Sequence, residues 1–599
     1  MVYKVVCDYI SIYGFFVNIK KFRKADEVVL YKAEESLFDK LWITFFRFMN
    51  AIFLRKQVAI KAINKYLYFS LNPKVVGVIE RNAEKINVDL VSGINRFLNG
   101  EEKDVVKYVK HNLIGILQKK LYIRMQIEKN NHNNKYFIIT DKNNLDIYNG
   151  LCDVFEDGFL LRNRLFMYVF NLFLTIFMFF KILSQFKFRY KINRKFFTDL
   201  LVQAQYFGYD DGFKNEFLSE DYVFNKKRVS LLITRIWRPA SSKKTKEYMQ
   251  KLNEKGIKCI DAKGFCIDFR GLFTLIKDLR KYVIVVNTDY GSWRDVYTYF
   301  LSLYQFLLET IYLRNYSCKA ILCFDDYLAW HIARTLIYRQ YGIKTISIQH
   351  SMGSGMYGTP SAAYVCFDKY LVWGNFYKEL FTPFWDDVDT VKFSYNRIDK
   401  FLRRWNKGDI NYSNLYSIIP KSKKKNILIL PPPLAAVLNQ QRLPNSKGII
   451  DFLKNLDGLL VNSGNYFIRA KNKYNVNQFQ QLINNEHVKF VLSDKCSTTE
   501  LISMADLVIA HAGSGAMCEC ALLRVKVICY DYFGCLAKHW LQYGGDVYSD
   551  SKESLYCKIK AFVNSESLNV YWDHLWDEMV YPNTGNTNYI IKDLLDEIV

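Results

Sequence analysis

The chain has 599 residues, half of them apolar and 16% aromatic, which excludes a disordered or low-complexity protein and supplies more than one hydrophobic core. Its 83 Lys and Arg against 59 Asp and Glu leave a net charge of +24 and call for an anionic partner: a phosphorylated substrate, an acidic membrane surface or nucleic acid. Nucleic acid is set aside, since no zinc-ligand spacing, aromatic RNA-binding strand signature or basic tail is present.

Residues 1 to about 150 read as an α/β region. Short apolar runs such as Tyr136-Phe137-Ile138-Ile139 alternate with basic helical stretches such as Asp104 to Lys129. Met1 to Asp8 lacks the basic and apolar regions of a signal peptide. The thirteen cysteines are irregularly spaced and odd in number. Together these features imply a reducing, cytoplasmic setting. Cys518 and Cys520, two apart, read as packing residues on a helix.

Leu165 to Phe180 runs without a charge. Arg162 and Arg164 precede it, and Lys181, Lys187, Arg189, Lys191, Arg194 and Lys195 follow it. A spanning helix needs about 20 apolar residues. The shorter run, with its basic flank, therefore predicts an apolar membrane-associated helix lying on an anionic surface. The alternatives are a buried core helix and a true span.

From Val229 the pattern turns to β/α alternation. Strands are expected at Val229–Thr234, Ile257–Ile260, Tyr282–Val286, Ala320–Phe324 and Lys344–Ile348. Helices are expected at about Trp293–Leu313 and Ala329–Tyr341. A polar bridge lies between about Phe384 and Lys425. Alternation then resumes with strands at Asn426–Leu430, Tyr466–Arg469, Val488–Leu492, Leu507–Ala510 and Val525–Tyr530, and helices at Thr499–Asp506 and Met517–Leu523. Such spacing predicts parallel, doubly wound sheets in two Rossmann-like halves, with ligands at the carboxyl ends of the strands.

Strand-end residues are therefore the candidates. His511-Ala512-Gly513-Ser514-Gly515-Ala516 joins a strand to a helix, and a Gly-Ser-Gly turn there offers free backbone N–H groups to a phosphate. A plain packing turn is the other reading. His350 follows the strand ending at Ile348 and enters a glycine-rich loop, a place for a general base, phosphate binding or a satisfied loop histidine. Asp325 and Asp326 end another strand as candidate base, cation ligand or helix cap, with Asp289 a weaker parallel. Arg469 and Lys471 are candidates to neutralise donor phosphates. Glu519 is a candidate acceptor for sugar hydroxyls, or a first-turn acid favoured by the helix dipole. Glu156-Asp157-Gly158 is foremost a turn signal. The eight histidines lack paired ligand spacing, so neither a metal nor another cofactor is expected.

Two runs carry a resemblance. Ile348-Gln349-His350, Met356-Tyr357-Gly358 and Asp368-Lys369-Tyr370-Leu371-Val372-Trp373-Gly374 resemble a run found in bacterial surface-carbohydrate biosynthesis proteins, including glycerol- and ribitol-phosphate polymerases and capsule glycosyltransferases. Glu500 to Asp506, His511 to Gly515 and Glu519 resemble the donor half of GT-B glycosyltransferases. The resemblance covers about residues 229–545. Ser351 departs from the glycine often found after that histidine, and Gly513-Ser514-Gly515 departs from the Ser-Ser of the polyol-phosphate polymerases. Glu156-Asp157-Gly158 is similar to an acidic motif of sialyl- and Kdo-transferases but has no His-Pro companion.

The resemblance implies a GT-B-like α/β fold in which two Rossmann-like domains, 229–384 on the acceptor side and 426–550 on the nucleotide-donor side, face a cleft. An N-terminal α/β extension (1–200) and a C-terminal helical segment (551–599) flank them. It implies transfer of a sugar from a nucleotide-sugar donor to a lipid-linked or growing surface polysaccharide, at the inner face of the cytoplasmic membrane. His350 or a nearby acid would activate the acceptor, and the glycine turn, Arg469 and Lys471 would hold the donor. A CDP-polyol-phosphate transferase of the same fold and a non-catalytic membrane-bound scaffold are the rival expectations.

Overall fold

A computed structural model describes residues 2–7, 19–32, 57–62, 72–81, 88–130, 134–140, 153–156, 196–203, 229–233, 243–262, 265–285, 293–324, 329–349, 363–381, 388–412, 423–430, 464–470, 488–492, 496–511, 515–530, 538–585 and 587–598, with a few isolated positions besides. The chain divides into two compact units. The first holds Met1–Phe196, Gly264–Tyr316 and Leu328–Tyr341; the second holds Phe197–Lys263, Ser317–Tyr327 and Gly342–Val599.

The α/β reading of the N-terminal region resolves into a five-stranded parallel sheet in the first unit. Its strands are β1 (Val2–Cys7), β2 (Glu27–Lys32), β3 (Gln57–Ala62), β4 (Asn134–Thr140) and β5 (Asp153–Glu156), in the order β3-β2-β1-β4-β5. Besides a short helix at Ile19–Lys24, the helices are α1 (Asn72–Arg81), α2 (Val88–Leu98), α3 (Glu102–Asn130), α4 (Phe269–Val285), α5 (Trp293–Asn315) and α6 (Trp330–Arg339). Their shared interior is partly polar. The Glu309 carboxylate accepts from Trp330 Nε1 at 2.6 Å and from the Tyr338 hydroxyl at 2.8 Å, and Tyr108 donates to Gln305 at 2.8 Å. Burial and the neighbouring His331 press the pKa of His111 down to about 3, so that imidazole is neutral.

The strand expected at Tyr282–Val286 is instead the C-terminal part of α4 through Val285, a correction to the sequence reading. The helix starts thirteen residues upstream of Tyr282, where Asp268 accepts from the Gly271 N–H at 2.7 Å. A β-branched run extending an established helix adds one backbone hydrogen bond per residue, which outweighs its weak strand propensity. Of the apolar run 165–180, only Ile176, Phe179 and Phe180 are described, and Ile176 and Phe180 are exposed. Among the described residues no helix is long and apolar enough to cross a membrane. Beyond the run, β6 (Lys187–Phe188) pairs in parallel with Cys266–Ile267.

The second unit holds two parallel sheets, while Gly264–Tyr316 and Leu328–Tyr341, within the span expected for the first half, belong to the first unit. The first sheet is built from β7 (Phe196–Gln203), β8 (Val229–Ile233), β9 (Lys258–Asp261), β10 (Tyr316–Cys323), β11 (Lys344–Ile348), β12 (Lys369–Val372) and β13 (Thr390–Lys392), in the order β9-β8-β7-β10-β11-β12-β13. Strand β7, upstream of the expected start at 229, takes an interior place; six of its eight residues are buried. The second sheet is built from β14 (Lys425–Leu430), β15 (Gly464–Ala470), β16 (Val488–Leu492), β17 (Leu507–His511), β18 (Lys526–Tyr530) and β19 (Tyr548–Ser549). Its order is β16-β15-β14-β17-β18-β19, all in parallel pairings. Numbered within each sheet, both orders begin 3-2-1-4-5-6, the doubly wound order that opens a ligand crevice where the winding reverses. Those switch points fall between β7 and β10, and between β14 and β17.

The unit is closed by helices α7 (Asn375–Phe381), α8 (Asp399–Asn406), α9 (Thr498–Ser503), α10 (Ala516–Leu522), α11 (Lys552–Val563), α12 (Trp572–Met579) and α13 (Asn588–Ile598). The chain after the second sheet returns to the first. Tyr581 N–H donates to Trp373 O at 2.6 Å, and Ser394 Oγ donates to the Tyr581 carbonyl. Buried Asp399 accepts from Thr587 Oγ1 at 2.6 Å, Thr587 N at 3.0 Å and Asn583 Nδ2 at 2.9 Å. Leu371, Trp373 and Tyr395 of the first half share one core with Leu428, Val508, Cys518 and Met579.

Cysteine environments yield a direct prediction. Cys518 and Cys520 are fully buried on α10, and burial pushes both thiols well up. Among the described cysteines Cys557 is the exposed one. Brief alkylation of the native protein should label Cys557 and leave Cys518 and Cys520 unmodified until denaturant is added, as read by peptide mass spectrometry. Early labelling of either α10 cysteine would contradict this packing.

Candidate functional site

Parallel strands end on one edge, and in the second unit the segment leaving the carboxyl end of β13 meets α10 of the second half through Tyr395 and Glu519. Gln349 follows β11 and is buried; its N–H donates to Leu371 O at 3.0 Å and its Oε1 accepts from Trp373 N at 2.9 Å. It thus ties the end of β11 to the end of β12. Asp368 ties the opposite ends, accepting from Thr345 N at 2.7 Å and Thr345 Oγ1 at 3.0 Å. The conspicuous Gln349, Asp368 and Trp373 of the sequence run thus set strand register and packing. His350, one residue beyond Gln349, lies outside the described residues, as do Asp325, Asp326 and Asp289. Strand β10 ends at Cys323 beside the first switch point.

On the facing half, the backbone of His511 is the last residue of β17 and pairs with Tyr530. Gly513, Ser514 and Lys471 lie outside the described residues. Arg469 is half-buried near the carboxyl end of β15. Gly515 precedes α10, which has only seven residues, so a helix dipole there is a small asset. Glu519 lies in the first turn of α10 and is buried. Its Oε2 accepts from Thr499 Oγ1 at 2.7 Å, and its Oε1 accepts from the Tyr395 hydroxyl at 3.4 Å. Sequence reasoning offered Glu519 as a sugar-hydroxyl acceptor; the structure uses it first to join α9, α10 and the loop after β13. Ser497 caps α9 in a reciprocal box with Glu500, which fixes where Thr499 stands.

Tyr395 and Arg397 are what the sequence reading missed. Tyr395 is fully buried two residues past Phe393, whose N–H continues the β13 edge by donating to Val372 O at 3.0 Å. Its ring meets Trp373 edge-on at 4.8 Å. Burial, aided by Glu519 and opposed by Arg397, pushes the Tyr395 hydroxyl far up, so it remains a protonated donor. A Cβ on Gly515 would stand 3.7 Å from that hydroxyl, which brings the start of α10 against this aromatic pair. Arg397 is exposed, and its guanidinium lies over the rings of Trp373 (5.1 Å) and Tyr395 (5.5 Å). The aromatic platform, with a hydrogen bond between Arg397 and the Tyr395 side chain, holds the planar cation in place. The only sequence signal was an arginine within what read as a polar bridge, five residues past the end of β13.

The site as described joins both carboxyl edges, carries an anchored cation and contains a buried carboxylate with two internal hydroxyl donors. A cation in that position suits a phosphate or diphosphate. Among the described residues no group of three or more His, Cys, Asp or Glu is arranged to hold a metal.

No family model matches the chain, and no curated protein does. Among solved structures, the chain is similar to a glycotransferase of kitacinnamycin (12% identity, 68% of this chain and 99% of that one, TM-score 0.37). It is also similar to the spinosyn rhamnosyltransferase SpnG complexed with thymidine diphosphate (10%, 66% and 100%, TM-score 0.38). A third is the Methanocaldococcus jannaschii UDP-GlcNAc 2-epimerase in complex with UDP-GlcNAc and UDP (12%, 67% and 99%, TM-score 0.35). At such identities and scores the activities of those proteins stay with them, and function here has to come from the chain's own residues.

Proposed function

We propose that this chain is a GT-B-type glycosyltransferase that moves a sugar from a nucleotide-activated donor to a lipid-linked or growing surface glycan, working at the cytoplasmic face of a membrane. The observation that carries the reading is the Tyr395–Glu519 junction. It brings the carboxyl edges of two doubly wound sheets together beside an exposed, ring-stacked Arg397. Ligands of doubly wound sheets bind at that edge, and interfaces between halves are favoured pocket positions.

In this reading Arg397 pairs with donor phosphates and, with Arg469, Lys471 and the Gly513–Gly515 turn, stabilises the charge that develops on the leaving nucleotide. His511, at the end of β17, joins these groups in holding the donor. Glu519 and Tyr395 set the shape of the donor half against the acceptor half. His350, or an acid such as Asp325 or Asp326, supplies the base that deprotonates the acceptor hydroxyl. The basic segment around 162–195 keeps the enzyme near a lipid-linked acceptor.

Melting the purified protein against UDP, GDP, CMP, CDP and dTDP tests the reading. One nucleotide at 100 times its dissociation constant should stabilise the fold by about 2.7 kcal/mol. The Ser514→Trp variant should lose that response. CDP alone as the stabiliser would indicate polyol-phosphate transfer, and no response to any nucleotide from folded protein would favour the scaffold.

A further inference from the structure

We infer that an aromatic face on α4 and β6 of the first unit is the surface that docks on an anionic lipid bilayer. The inference rests on the membrane-face part of the proposed function and adds the residues that make contact. Helix α4 exposes Phe269 (55%), Phe273 (72%) and Ile276 (49%). Their spacing of four and three residues places them on one stripe, while Gly271 and Leu275 on the other side are buried. Phe188 of β6 is half exposed and meets the Phe269 ring at 4.7 Å, nearly perpendicular.

This face is displayed from a firm base. Asn315 of α5 donates to Cys266 O and accepts from Cys266 N, both at 2.9 Å, beside the pairing of Cys266–Ile267 with β6. Phe186 and Phe265 both pack on Tyr312, at 6.1 and 5.3 Å. Three large apolar side chains in a row cost hydration free energy in water, so such a stripe marks a contact surface.

Charge identifies what it contacts. Arg270 and Lys277 are exposed on α4, seven residues apart and therefore on one flank of the aromatic stripe. Over Phe269–Val285 the helix sequence carries Arg270, Lys277, Arg280 and Lys281 against one acid, Asp278, and the side chain of the preceding Asp268 is engaged by the Gly271 N–H. An apolar row with a cationic flank suits the acyl boundary and the anionic headgroups of a bilayer together. A protein partner would need matching acids around an apolar groove, and a second copy of this chain would set these cations against themselves.

Co-sedimentation with vesicles of phosphatidylcholine, with and without phosphatidylglycerol, tests the surface. The full chain should pellet with the anionic vesicles. The Phe273→Ser/Ile276→Ser double variant should need at least about tenfold more lipid for half binding, since two exposed apolar side chains no longer insert. Arg270→Glu/Lys277→Glu should abolish the preference for phosphatidylglycerol, and Phe273→Trp should bind as well as the parent. The inference is overturned if the double serine variant, melting like the parent, still binds as the parent does, or if the parent does not pellet. It is equally overturned if the parent elutes as a dimer that the serine variant dissociates. Melting the same preparations with the nucleotides separates the two readings. A nucleotide response without vesicle binding removes the docking surface alone, and vesicle binding without any nucleotide response removes the enzyme alone.

Discussion

Gly374→Ala should destabilise the second unit by about 3 kcal/mol, the upper part of the range for overpacking a closed site. Gly374 directly follows the buried Trp373 at the end of β12. A Cβ at this position would overlap the Met579 carbonyl oxygen and stand 2.7 Å from Glu578 O. Both are backbone atoms at the end of α12, which cannot rotate away as a side-chain tip can. Moving them strains the Tyr581 N–H to Trp373 O bond and the burial of Met579. Gly545→Ala is the matched control, since a Cβ there meets nothing within 4 Å; it should stay within about 0.5 kcal/mol of the parent. Urea unfolding of both variants decides the matter, and coincident transitions would mean that Gly374 is not held against α12. The mechanism is a return segment that fastens the end of the chain to the first half, so Gly374→Ala should also weaken any ligand that needs the two halves together.

The sequence anticipated strands where apolar runs were short and bounded, and the second half followed its pattern almost residue for residue. Val488–Leu492 and the strand ending at His511 are examples. Strand β7 was missed because its sequence, FFTDLLVQ, carries three polar residues that its interior position buries, Thr198, Asp199 and Gln203; Thr198 bonds to Leu200 O at 3.2 Å and Asp199 pairs with Lys319 at 3.2 Å. Tyr282–Val285 misled in the opposite way, since local β propensity cannot reveal a helix already running from Phe269. At the site, the motif-like residues Gln349, Asp368 and Trp373 were visible, but their spacing could not separate packing from contact with a ligand. The Asp399–Thr587 bond spans 188 residues and leaves no local trace. Tyr395 and Arg397 were invisible for the same reason: their role comes from Trp373 and Glu519, which only the tertiary fold brings near them.

Arg397→Ala should cost about 10- to 100-fold in affinity for the stabilising nucleotide, because charge-assisted hydrogen bonds contribute about 1.5–3 kcal/mol and each 1.4 kcal/mol is tenfold. The free protein should melt nearly as the parent does. Arg397 is exposed, and its stacking on Trp373 and Tyr395 at 5.1 and 5.5 Å accounts for about 0.5–1 kcal/mol. That contrast between a small stability loss and a large affinity loss is what a ligand-facing cation predicts and a structural one does not. Arg397→Lys should fall between, keeping the charge while losing the planar fork and part of the stacking. Glu519→Gln should behave differently. Its carboxylate is buried and receives Thr499 and Tyr395, so the change replaces one acceptor oxygen by a donor in a dry site. It should lower stability by about 1–3 kcal/mol. Titrating nucleotide into the three variants by calorimetry, with melting curves of the same samples, separates the roles. Unchanged affinity in Arg397→Ala would remove the cation from the donor site and leave the Gly513–Gly515 turn, Arg469 and Lys471 to hold the phosphates.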